Sequence, residues 1–350
     1  MKISVIVPCR NESRHICELM NSLLAQDLDK GWEIEILVAD GMSDDGTREL
    51  IRQYGEKMFP VRMIDNPARS VSTGLNAAIE ASEGDIIIRM DAHTTYANDY
   101  IRQCVTVLED SGADCVGGPW VARGRGLMGK AIAAAFRSPF GTGGGKAHDP
   151  DYEGDVDTVY LGCWRRSVFS RVGLFDLALV RNQDDEFNFR LRRAGGRVWQ
   201  SPRISSSYSP RASIKALFRQ YLQYGFWKVA VIRKHRALAS WRHAVPALFV
   251  GSALLSLALL SLAWALGMPQ VAAAVRTAVA VGLGVYLVAS IIAALPYAGE
   301  LDPRTLLILP AVIAVYHVAY GVGFLMGIFS LGRRQPHGAA HSRLFTALTR

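Results

Sequence analysis

The sequence has few cysteines and no secretion signal, and both absences limit where the protein works. The five cysteines are an odd number without the paired spacing of a zinc site: Cys9, Cys17, Cys104, Cys115 and Cys163. In a chain of 350 residues they predict reduced, cytosolic thiols. The opening MKISVIVPCRNES has an apolar run of only about five residues, too short for a signal peptide. We therefore expect the first domain to stay on the side of the membrane where it is made.

Two phosphate-binding motifs are also missing. The turn after the first predicted strand, PCRNESRH, lacks the G-x-G-x-x-G of dinucleotide-binding folds. The glycine-rich segment 141–157 lacks the Walker spacing and the Ser or Thr that would follow its lysine. A dinucleotide cofactor and a P-loop are therefore unsupported. Segment 141–157 is either a mobile lid over a ligand or a plain flexible loop.

The positive charge is unevenly distributed. The chain has a formal net charge of +8, and the basic run VIRKHRALASWRH (231–243) stands directly before a long apolar stretch. This position favours contact with anionic lipid head groups over a solvated basic face, and argues against nucleic acid as a partner. Residues 213–243 mix aromatic and basic side chains at helical spacing, which predicts interfacial amphipathic helices.

Three apolar stretches follow, within a predicted membrane region of residues 244–331. Residues 244–267 carry no charge over 24 positions, long enough to cross a hydrocarbon core of ~30 Å as a helix. Residues 277–296 and 305–331 predict a second and a third span. Residues 332–350 form a basic tail.

The topology of the third span stays open. A basic run before the first span favours a cytoplasmic start. Three full spans would then place Arg333 and Arg334 on the far side, against the positive-inside rule. Pro310 lies inside the third stretch, where it is able to break the helix.

The first 212 residues alternate strand and helix patterns. Such alternation predicts an α/β domain, with a mixed, mostly parallel sheet and helices on both faces. Ligands of such sheets bind at the carboxyl ends of the strands.

Polar side chains recur where the predicted strands end. Pro8, Asn11, Glu12, Asp40, Arg69 and Asp91 are the candidates. Each acid alone has a plain explanation as a helix cap or an Asx turn. At one edge of a sheet they together suggest a pocket for a polar ligand such as uridine and ribose.

The segment IIIRMDAH (86–93) ends in two candidate metal ligands. Residues i and i+2 of an extended segment point the same way, so Asp91 and His93 would grip one divalent cation. A carboxylate suits Mg²⁺ or Mn²⁺, and an imidazole nitrogen favours Mn²⁺. The alternative is a helix cap and a surface histidine.

Three consecutive acids, Asp184, Asp185 and Glu186, open a predicted helix. The helix dipole favours acids at this position. Three in a row exceed what capping needs, so one of them is a candidate general base for an acceptor hydroxyl.

The ordered motifs VIVPCRNE, ILVADGMSDDGT, GLNAAIEASEGDIIIRMDAH, GCWRRSVFSRVGLFD and NQDDEFNFRLRRAGG resemble inverting family-2 glycosyltransferases with a GT-A fold. The resemblance covers about residues 1–225. The finer pattern, RMDAH and RQYLQYGFWK before membrane spans, is similar to the succinoglycan-biosynthesis, ExoA-like type.

The resemblance implies a role for each matching residue. Pro8, Asn11 and Glu12 would hold the nucleoside, Asp40 would contact the uracil, and Asp91 would reach the metal and the sugar phosphate. His93 stands where the family's second metal-binding Asp is expected. Asp184 would be the base, with Asp185 and Glu186 as rivals. On the acceptor side the candidates are Gly162, Trp164, Arg166, Asp185, Glu186, Arg190 and Arg219.

The implied function is a membrane-bound, inverting transfer of a sugar, expected to be glucose, from a UDP-sugar to a polyprenyl-diphosphate-linked saccharide in exopolysaccharide synthesis. It implies a Mn²⁺ or Mg²⁺ cofactor and an inner-membrane protein with its catalytic domain in the cytoplasm. The alternatives are a polyprenyl-phosphate sugar synthase and an inactive nucleotide-sugar-binding protein. Processive synthases carry Gln-x-x-Arg-Trp near their first membrane helix, and this chain has no Arg-Trp dipeptide.

Overall fold

The computed structural model describes residues 1–58, 61–237, 240–332 and 343–346. Within these ranges the strands are β1 (Lys2–Cys9), β2 (Glu33–Asp40), β3 (Val61–Asp65), β4 (Ile86–Arg89), β5 (Thr94–Tyr96), β6 (Cys115–Gly118), β7 (Gly154–Asp155), β8 (Tyr160–Arg165), β9 (Val198–Gln200) and β10 (Ser206–Tyr208). The helices are α1 (Ile16–Leu24), α2 (Thr47–Met58), α3 (Val71–Ala81), α4 (Tyr100–Ser111), α5 (Gly126–Arg137), α6 (Pro139–Thr142), α7 (Ser167–Val172), α8 (Gln183–Arg193), α9 (Ile214–His235), α10 (Val245–Ala265), α11 (Pro269–Ala294), α12 (Pro303–Gly332) and α13 (Arg343–Thr346).

Eight strands form a mixed sheet in the order β3-β2-β1-β4-β8-β6-β9-β7. The first four are parallel, β8 runs antiparallel to both β4 and β6, and β6 pairs with β9 in parallel. Strands β5 and β10 form a separate antiparallel ribbon. The predicted mixed, mostly parallel sheet with flanking helices is confirmed.

The sheet separates two hydrophobic cores because strand side chains alternate between its faces. In β4, Ile86 and Ile88 pack with α1 and α4 on one face, and Ile87 packs with α3 and α8 on the other. Coverage of both faces explains the consecutive apolar residues VIV in β1, ILVA in β2 and III in β4.

The chain divides into two compact units. The first consists of Met1–Val121 and Lys146–Ser209, and contains the whole sheet. The second consists of Ala122–Gly145 and the chain from Pro210 onwards. A segment inserted between β6 and β7, with helices α5 and α6, thus folds with the carboxyl-terminal helices. The domain boundaries at 212, 243 and 331 stay predictions.

Helices of the second unit cross very closely. A Cβ on Gly225 of α9 would lie 2.1 Å from the Tyr320 carbonyl oxygen, and one on Gly323 of α12 would lie 2.0 Å from that of Leu222. Only glycine allows this approach of two backbones. The inserted segment is bound to α12 as well, since the Tyr316 hydroxyl donates to the Ile132 carbonyl at 3.1 Å.

Three helices are long and apolar enough to cross a membrane, in segments Trp241–Ala265, Pro269–Tyr297 and Pro303–Ser330. The apolar stretches at 244–267, 277–296 and 305–331 therefore form the predicted helices. Helix α12 continues through Pro310. Arg333 and Arg334, on which the topology of the third span depends, lie outside the described residues, as does most of the basic tail.

Part of the glycine-rich segment is bound to the sheet. The Gln200 side-chain amide donates to the carbonyl oxygens of Lys146, Asp149 and Tyr152, at 3.2, 2.9 and 3.3 Å. Residues 146–157 belong to the first unit, whereas the preceding glycines belong to the second.

Candidate active site

The strand order brings the predicted donor residues to one edge of the sheet. Cys9 pairs with Asp40 where β1 and β2 end, and Ile6 pairs with Arg89 where β4 ends. Three neighbouring parallel strands therefore end side by side. The turns that carry Asn11, Glu12 and Asp91 follow these ends.

The loops that follow β1 and β2 meet at a corner of the site, around the fully buried carboxylate of Asp40. Asp40 accepts from the Ser43 backbone N–H at 3.0 Å and from Arg48 Nη1 at 2.6 Å. The Asn11 N–H donates to Ser43 Oγ at 2.7 Å, and Asn11 Oδ1 accepts from the Asp44 N–H at 3.0 Å. These bonds join the two loops that would hold a nucleoside.

Pro8 and Arg69 flank this corner. Pro8 pairs with Ala39 beyond the last residue of β1 that pairs with β4, so its missing N–H costs no ladder bond to β4. Arg69 is exposed and has a left-handed backbone, with φ 58°.

A buried arginine joins the two acids with the most specific predicted roles. Arg89 Nε and Nη2 donate to the two carboxylate oxygens of Asp91, both at 2.9 Å, and Nη1 donates to Asp184 Oδ1 at 2.6 Å. The Arg89 side chain is 7% exposed, against 28% for Asp91 and 42% for Asp184. Asp91 and Asp184 therefore share one guanidinium, and both carboxylates stay partly exposed to solvent.

Arg89 is a site residue that the motif analysis missed. In β4 it alternates with Ile88 and so lies on the face of Ile87, which α8 covers. Asp184 lies in the first turn of α8. A charged residue at the end of three buried isoleucines was the available signal, because a buried arginine requires acidic partners.

The electrostatics suit a proton acceptor. Burial raises the pKa of Asp184, the positive charge of Arg89 opposes the rise, and the nearby Asp91 charge adds to it; the net pKa is above the usual aspartate range. Burial alone would lower the pKa of Arg89, but the Asp184 and Asp91 charges hold it above its ordinary value. The guanidinium therefore stays charged beside both acids.

The predicted pairing of Asp91 with His93 on one cation stays a prediction, but the structure does not support the extended backbone on which it was argued. Strand β4 ends at Arg89, and the Thr94 N–H bonds back to the Asp91 carbonyl at 3.3 Å. The chain thus turns between the two residues, so the alternation of an extended segment does not apply. Both oxygens of Asp91 face Arg89, whereas His93 Nε2 lies 3.1 Å from Glu12 Oε1.

His93 belongs to a different group of candidate ligands. Among the described residues, Glu12, His15 and His93 each offer one ligand atom, and these atoms lie within 4.8 Å of one another. His15 was not singled out from the sequence. It stands three residues after Glu12, in a turn that no spacing rule connects with His93.

The three acids of α8 have separate environments. Glu186 is fully buried and bound by Arg190, whose Nε and Nη2 donate to it at 3.1 and 3.0 Å. Arg190 Nη2 also donates to the Leu174 carbonyl at 2.8 Å. The pair thus fixes α8 to the preceding loop. The acceptor-side roles of Glu186 and Arg190 stay predictions, and the observed contacts favour a structural role. Asp185 is half-buried.

The structure also gives Trp164 and Arg166, two predicted acceptor-side residues, contacts within the fold. Trp164 is 3% exposed and packs edge-on against Phe187 inside the core. Arg166 follows the end of β8, whose register places Arg165 opposite Ile86, at the amino end of β4. Arg166 is therefore at the opposite end of β4 from Asp91, because β8 runs antiparallel to β4, whereas Trp164 pairs with Ile87 within the strand.

The acceptor-side roles of Gly162 and Arg219 stay predictions. Gly162 lies in β8 next to Cys163, which pairs with Ile88. A Cβ at Gly162 would lie 2.0 Å from the Trp164 ring, so the glycine is required for packing. Arg219 is half-buried on α9 in the second unit.

An aromatic group lies in the first unit and was not recognised from the sequence. Trp120 stacks on Tyr160 and on His148, with ring centroids 5.1 and 5.9 Å apart, and Tyr208 approaches edge-on. The Tyr160 hydroxyl is 2.5 Å from Thr94 Oγ1, directly after His93. Aromatic faces of this kind line many ligand pockets. The residues come from four separate segments, so no local sequence pattern predicts that they lie together.

Comparison with known proteins agrees with this geometry. The family model described as Glycosyl transferase family 2 matches residues 4–169. The chain is 32% identical over 332 residues to the succinoglycan biosynthesis protein ExoA of Rhizobium meliloti (strain 1021), covering 94% of this chain and 96% of ExoA. The chain belongs to glycosyl transferase family 2. It is a membrane-associated glycosyltransferase.

Other relatives of this family-2 enzyme differ in their named reactions. A Methanococcus voltae protein, 28% identical over 66% of this chain and 74% of its own, is a dolichyl N-acetyl-α-D-glucosaminyl phosphate 3-β-D-2,3-diacetamido-2,3-dideoxy-β-D-glucuronosyltransferase. Among solved structures, the mannosyltransferase PcManGT of Pyrobaculum calidifontis, in complex with GDP-Man and Mn²⁺, superposes with a TM-score of 0.57. At 18% identity over 94% of this chain and 87% of that one, it supports the predicted GT-A-type fold.

Proposed function

We propose that this enzyme transfers a sugar, with inversion, from a UDP-sugar to a polyprenyl-diphosphate-linked saccharide in exopolysaccharide synthesis. UDP-glucose is the expected donor. One observation carries the proposal: the half-exposed Asp184 carboxylate shares a buried guanidinium with Asp91 at the ligand-binding edge of the sheet. A proton acceptor therefore lies beside the group that faces the donor.

The chemistry needs one base and no protein nucleophile. Asp184 takes the proton from an acceptor hydroxyl, and the hydroxyl oxygen attacks the anomeric carbon as the bond to the nucleoside diphosphate breaks. The sugar passes through an oxocarbenium-like state, as in glycoside hydrolysis. A single displacement inverts the configuration, so an α-linked donor gives a β-linked product. The raised pKa of Asp184 suits this role because it increases the carboxylate's affinity for a proton.

Arg89 is proposed as a positioning residue. Its guanidinium donates two parallel hydrogen bonds to the Asp91 carboxylate and a third to Asp184. Such a planar group fixes the orientation of a carboxylate more closely than a lysine would. The base and the donor-side acid are thereby held at a constant separation.

Donor binding is proposed for the corner formed by Pro8, Asn11, Glu12 and Asp40, with Arg69 at its rim. The bonds that join the loops after β1 and β2 support a preformed nucleoside pocket. A divalent cation, Mn²⁺ or Mg²⁺, would complete the donor site, and the PcManGT complex with its sugar nucleotide likewise contains Mn²⁺. Such an ion neutralises the leaving diphosphate.

A lipid-linked acceptor is supported by the three apolar helices and by the relatives' names. ExoA is named for succinoglycan biosynthesis, and the archaeal relative for a dolichyl-linked acceptor. The basic residues of 231–243 precede the first candidate span. We therefore propose an inner-membrane location with the sheet unit in the cytoplasm, and an acceptor-diphosphate contact for Arg219.

A transfer assay tests the proposal. Membranes with the full-length chain are given labelled UDP-sugars, UDP-glucose first, with either polyprenyl-diphosphate-linked saccharides or polyprenyl phosphate. We expect UDP release and a β-linked sugar on the diphosphate-linked saccharide, both absent from membranes with Asp184→Asn. Label on polyprenyl phosphate alone would instead assign a sugar synthase. Nucleotide-sugar binding without release on any acceptor would assign an inactive binding protein.

A further inference from the structure

We propose that Glu12, His15 and His93 form a binding site for one divalent transition-metal ion. The site deepens the proposed cation dependence, and it differs from the Asp91–His93 pair that the resemblance implies. The ligand atoms of the three residues lie within 4.8 Å of one another. Glu12 is buried and the two histidines are half-buried, so the group is both held by protein and open to solvent.

The fold brings the three residues together through two adjacent strands. Glu12 and His15 belong to the turn after β1, closed by bonds of 2.8 Å from the His15 and Ile16 N–H groups to the Glu12 carbonyl. His93 belongs to the turn after β4, and β4 is the neighbour of β1 in the sheet. The Glu12 N–H donates to Thr47 Oγ1 at 2.7 Å, which fixes the backbone that carries the carboxylate.

The distances suit shared coordination of one ion. Two ligands at about 2.1 Å from a metal and at right angles to each other are about 3.0 Å apart. Glu12 Oε1 and His93 Nε2 are 3.1 Å apart. The His15 and His93 rings are in edge contact, with centroids 4.7 Å apart, and the ligand nitrogen of His15 lies within 4.8 Å of the other two ligand atoms.

The types of metal ligand present indicate which kind of ion the site binds. Two imidazoles and one carboxylate are the ligands of many transition-metal sites, whereas Mg²⁺ prefers oxygen ligands and keeps its waters. Three protein ligands also leave coordination positions for other oxygens. The idea that diphosphate oxygens fill these positions rests on the proposed function. The metal site itself does not rest on it.

Asp91 is not required for this site. Its two oxygens each accept from Arg89 at 2.9 Å, and it is not in the ligand group. The replacement of the family's second metal-binding Asp by His93 thus moves the predicted ion from Asp91 towards Glu12 and His15.

Metal binding without donor tests the proposal. The purified full-length chain is titrated with Mn²⁺, followed by the loss of the free-ion EPR signal, and with Co²⁺, followed by its visible absorption. We expect one site, with affinity at least about tenfold lower in His15→Asn and in His93→Asn. Asp91→Asn and the control His148→Asn should bind as the wild type does, and Mg²⁺ should compete poorly. Thermal melting confirms that each variant folds.

Three outcomes would overturn the site: no bound Mn²⁺ or Co²⁺, wild-type affinity in His15→Asn, or loss of binding in Asp91→Asn. The last would restore the Asp91–His93 pair. Because binding is measured without nucleotide or acceptor, failure of this site is distinct from failure of the transfer assay. A chain that binds the ion through His15 but releases no UDP would contradict the proposed function and leave the metal site intact.

Discussion

The two ends of the sheet each carry an arginine with several hydrogen bonds, and their partners differ in kind. At the amino end of β4, Arg166 donates to the Gly84 carbonyl at 2.7 Å and to Ser82 Oγ at 2.8 Å. There, too, the buried Glu35 accepts from Ser4 Oγ at 2.6 Å. At the carboxyl end, Arg89 donates to the carboxylates of Asp91 and Asp184 in the bonds described above.

We propose that the difference separates a structural charge from a functional one. A charged side chain that bonds only to backbone and hydroxyl groups of the protein has a fixed environment, and no substrate group replaces those partners. A charge paired with half-exposed charges holds them ready for a substrate, since their remaining lone pairs stay accessible. Four experiments test whether this contrast is real.

Asp184→Asn should have the largest effect on activity. Removing a general base typically costs about 10²–10⁴-fold in rate, and we expect a loss in kcat of that size with nucleotide binding retained. The measurement is UDP release with acceptor, together with UDP binding by calorimetry. Asp110→Asn, which removes an exposed carboxylate paired with Arg203, is the matched control. Loss of transfer in Asp185→Asn, with Asp184→Asn still active, would reassign the base.

Arg89→Lys and Arg166→Lys compare the two ends directly. Lysine keeps the charge but loses the planar fork, so Arg89→Lys should misplace both acids and lower kcat by about 10²-fold. Arg166→Lys should lower the melting temperature and leave kcat of the folded enzyme unchanged. Equal effects of both substitutions on kcat would remove the contrast between the two ends.

The pH profile tests the environment of Asp184. Asp184 must be ionised to accept a proton, so kcat/KM should fall about tenfold per pH unit below its pKa. Burial, helped by the Asp91 charge, raises that pKa, so the acid limb should lie above the ordinary aspartate pKa of about 3.9. Asp91→Asn removes a negative neighbour and should move the limb to lower pH. If the acid limb of the Asp91→Asn profile does not move, a group other than Asp184 controls it.

Glu186→Gln should have the smallest effect on activity and a clear effect on stability. It weakens the charge-assisted bonds from Arg190 in a fully buried position, which should cost about 1–3 kcal/mol in the free energy of unfolding. Thermal melting and specific activity together measure this. A stable but inactive Glu186→Gln enzyme would mean that Glu186 takes part in the chemistry.

Local patterns predicted the elements better than the contacts between them. The β-branched runs KISVIVPC and EIEILVAD form β1 (Lys2–Cys9) and β2 (Glu33–Asp40), because such runs covered on both faces have a distinct composition. The extended backbone predicted to continue through Ala92 ends at Arg89 instead. That difference changed the predicted direction of His93, since side-chain direction depends on where the extended backbone stops.

The sequence by itself determined the alternating α/β order, the edge where polar residues gather and the three apolar helices, because periodicity and run length are properties of neighbouring residues. Only the tertiary structure decided the partner of each charge. Arg89 meets Asp184 across 95 positions and His93 meets Glu12 across 81, because strand order and register set these distances. Whether an acid of this protein stays partly exposed or anchors a helix follows from those partners, as Asp184 and Glu186 illustrate two residues apart.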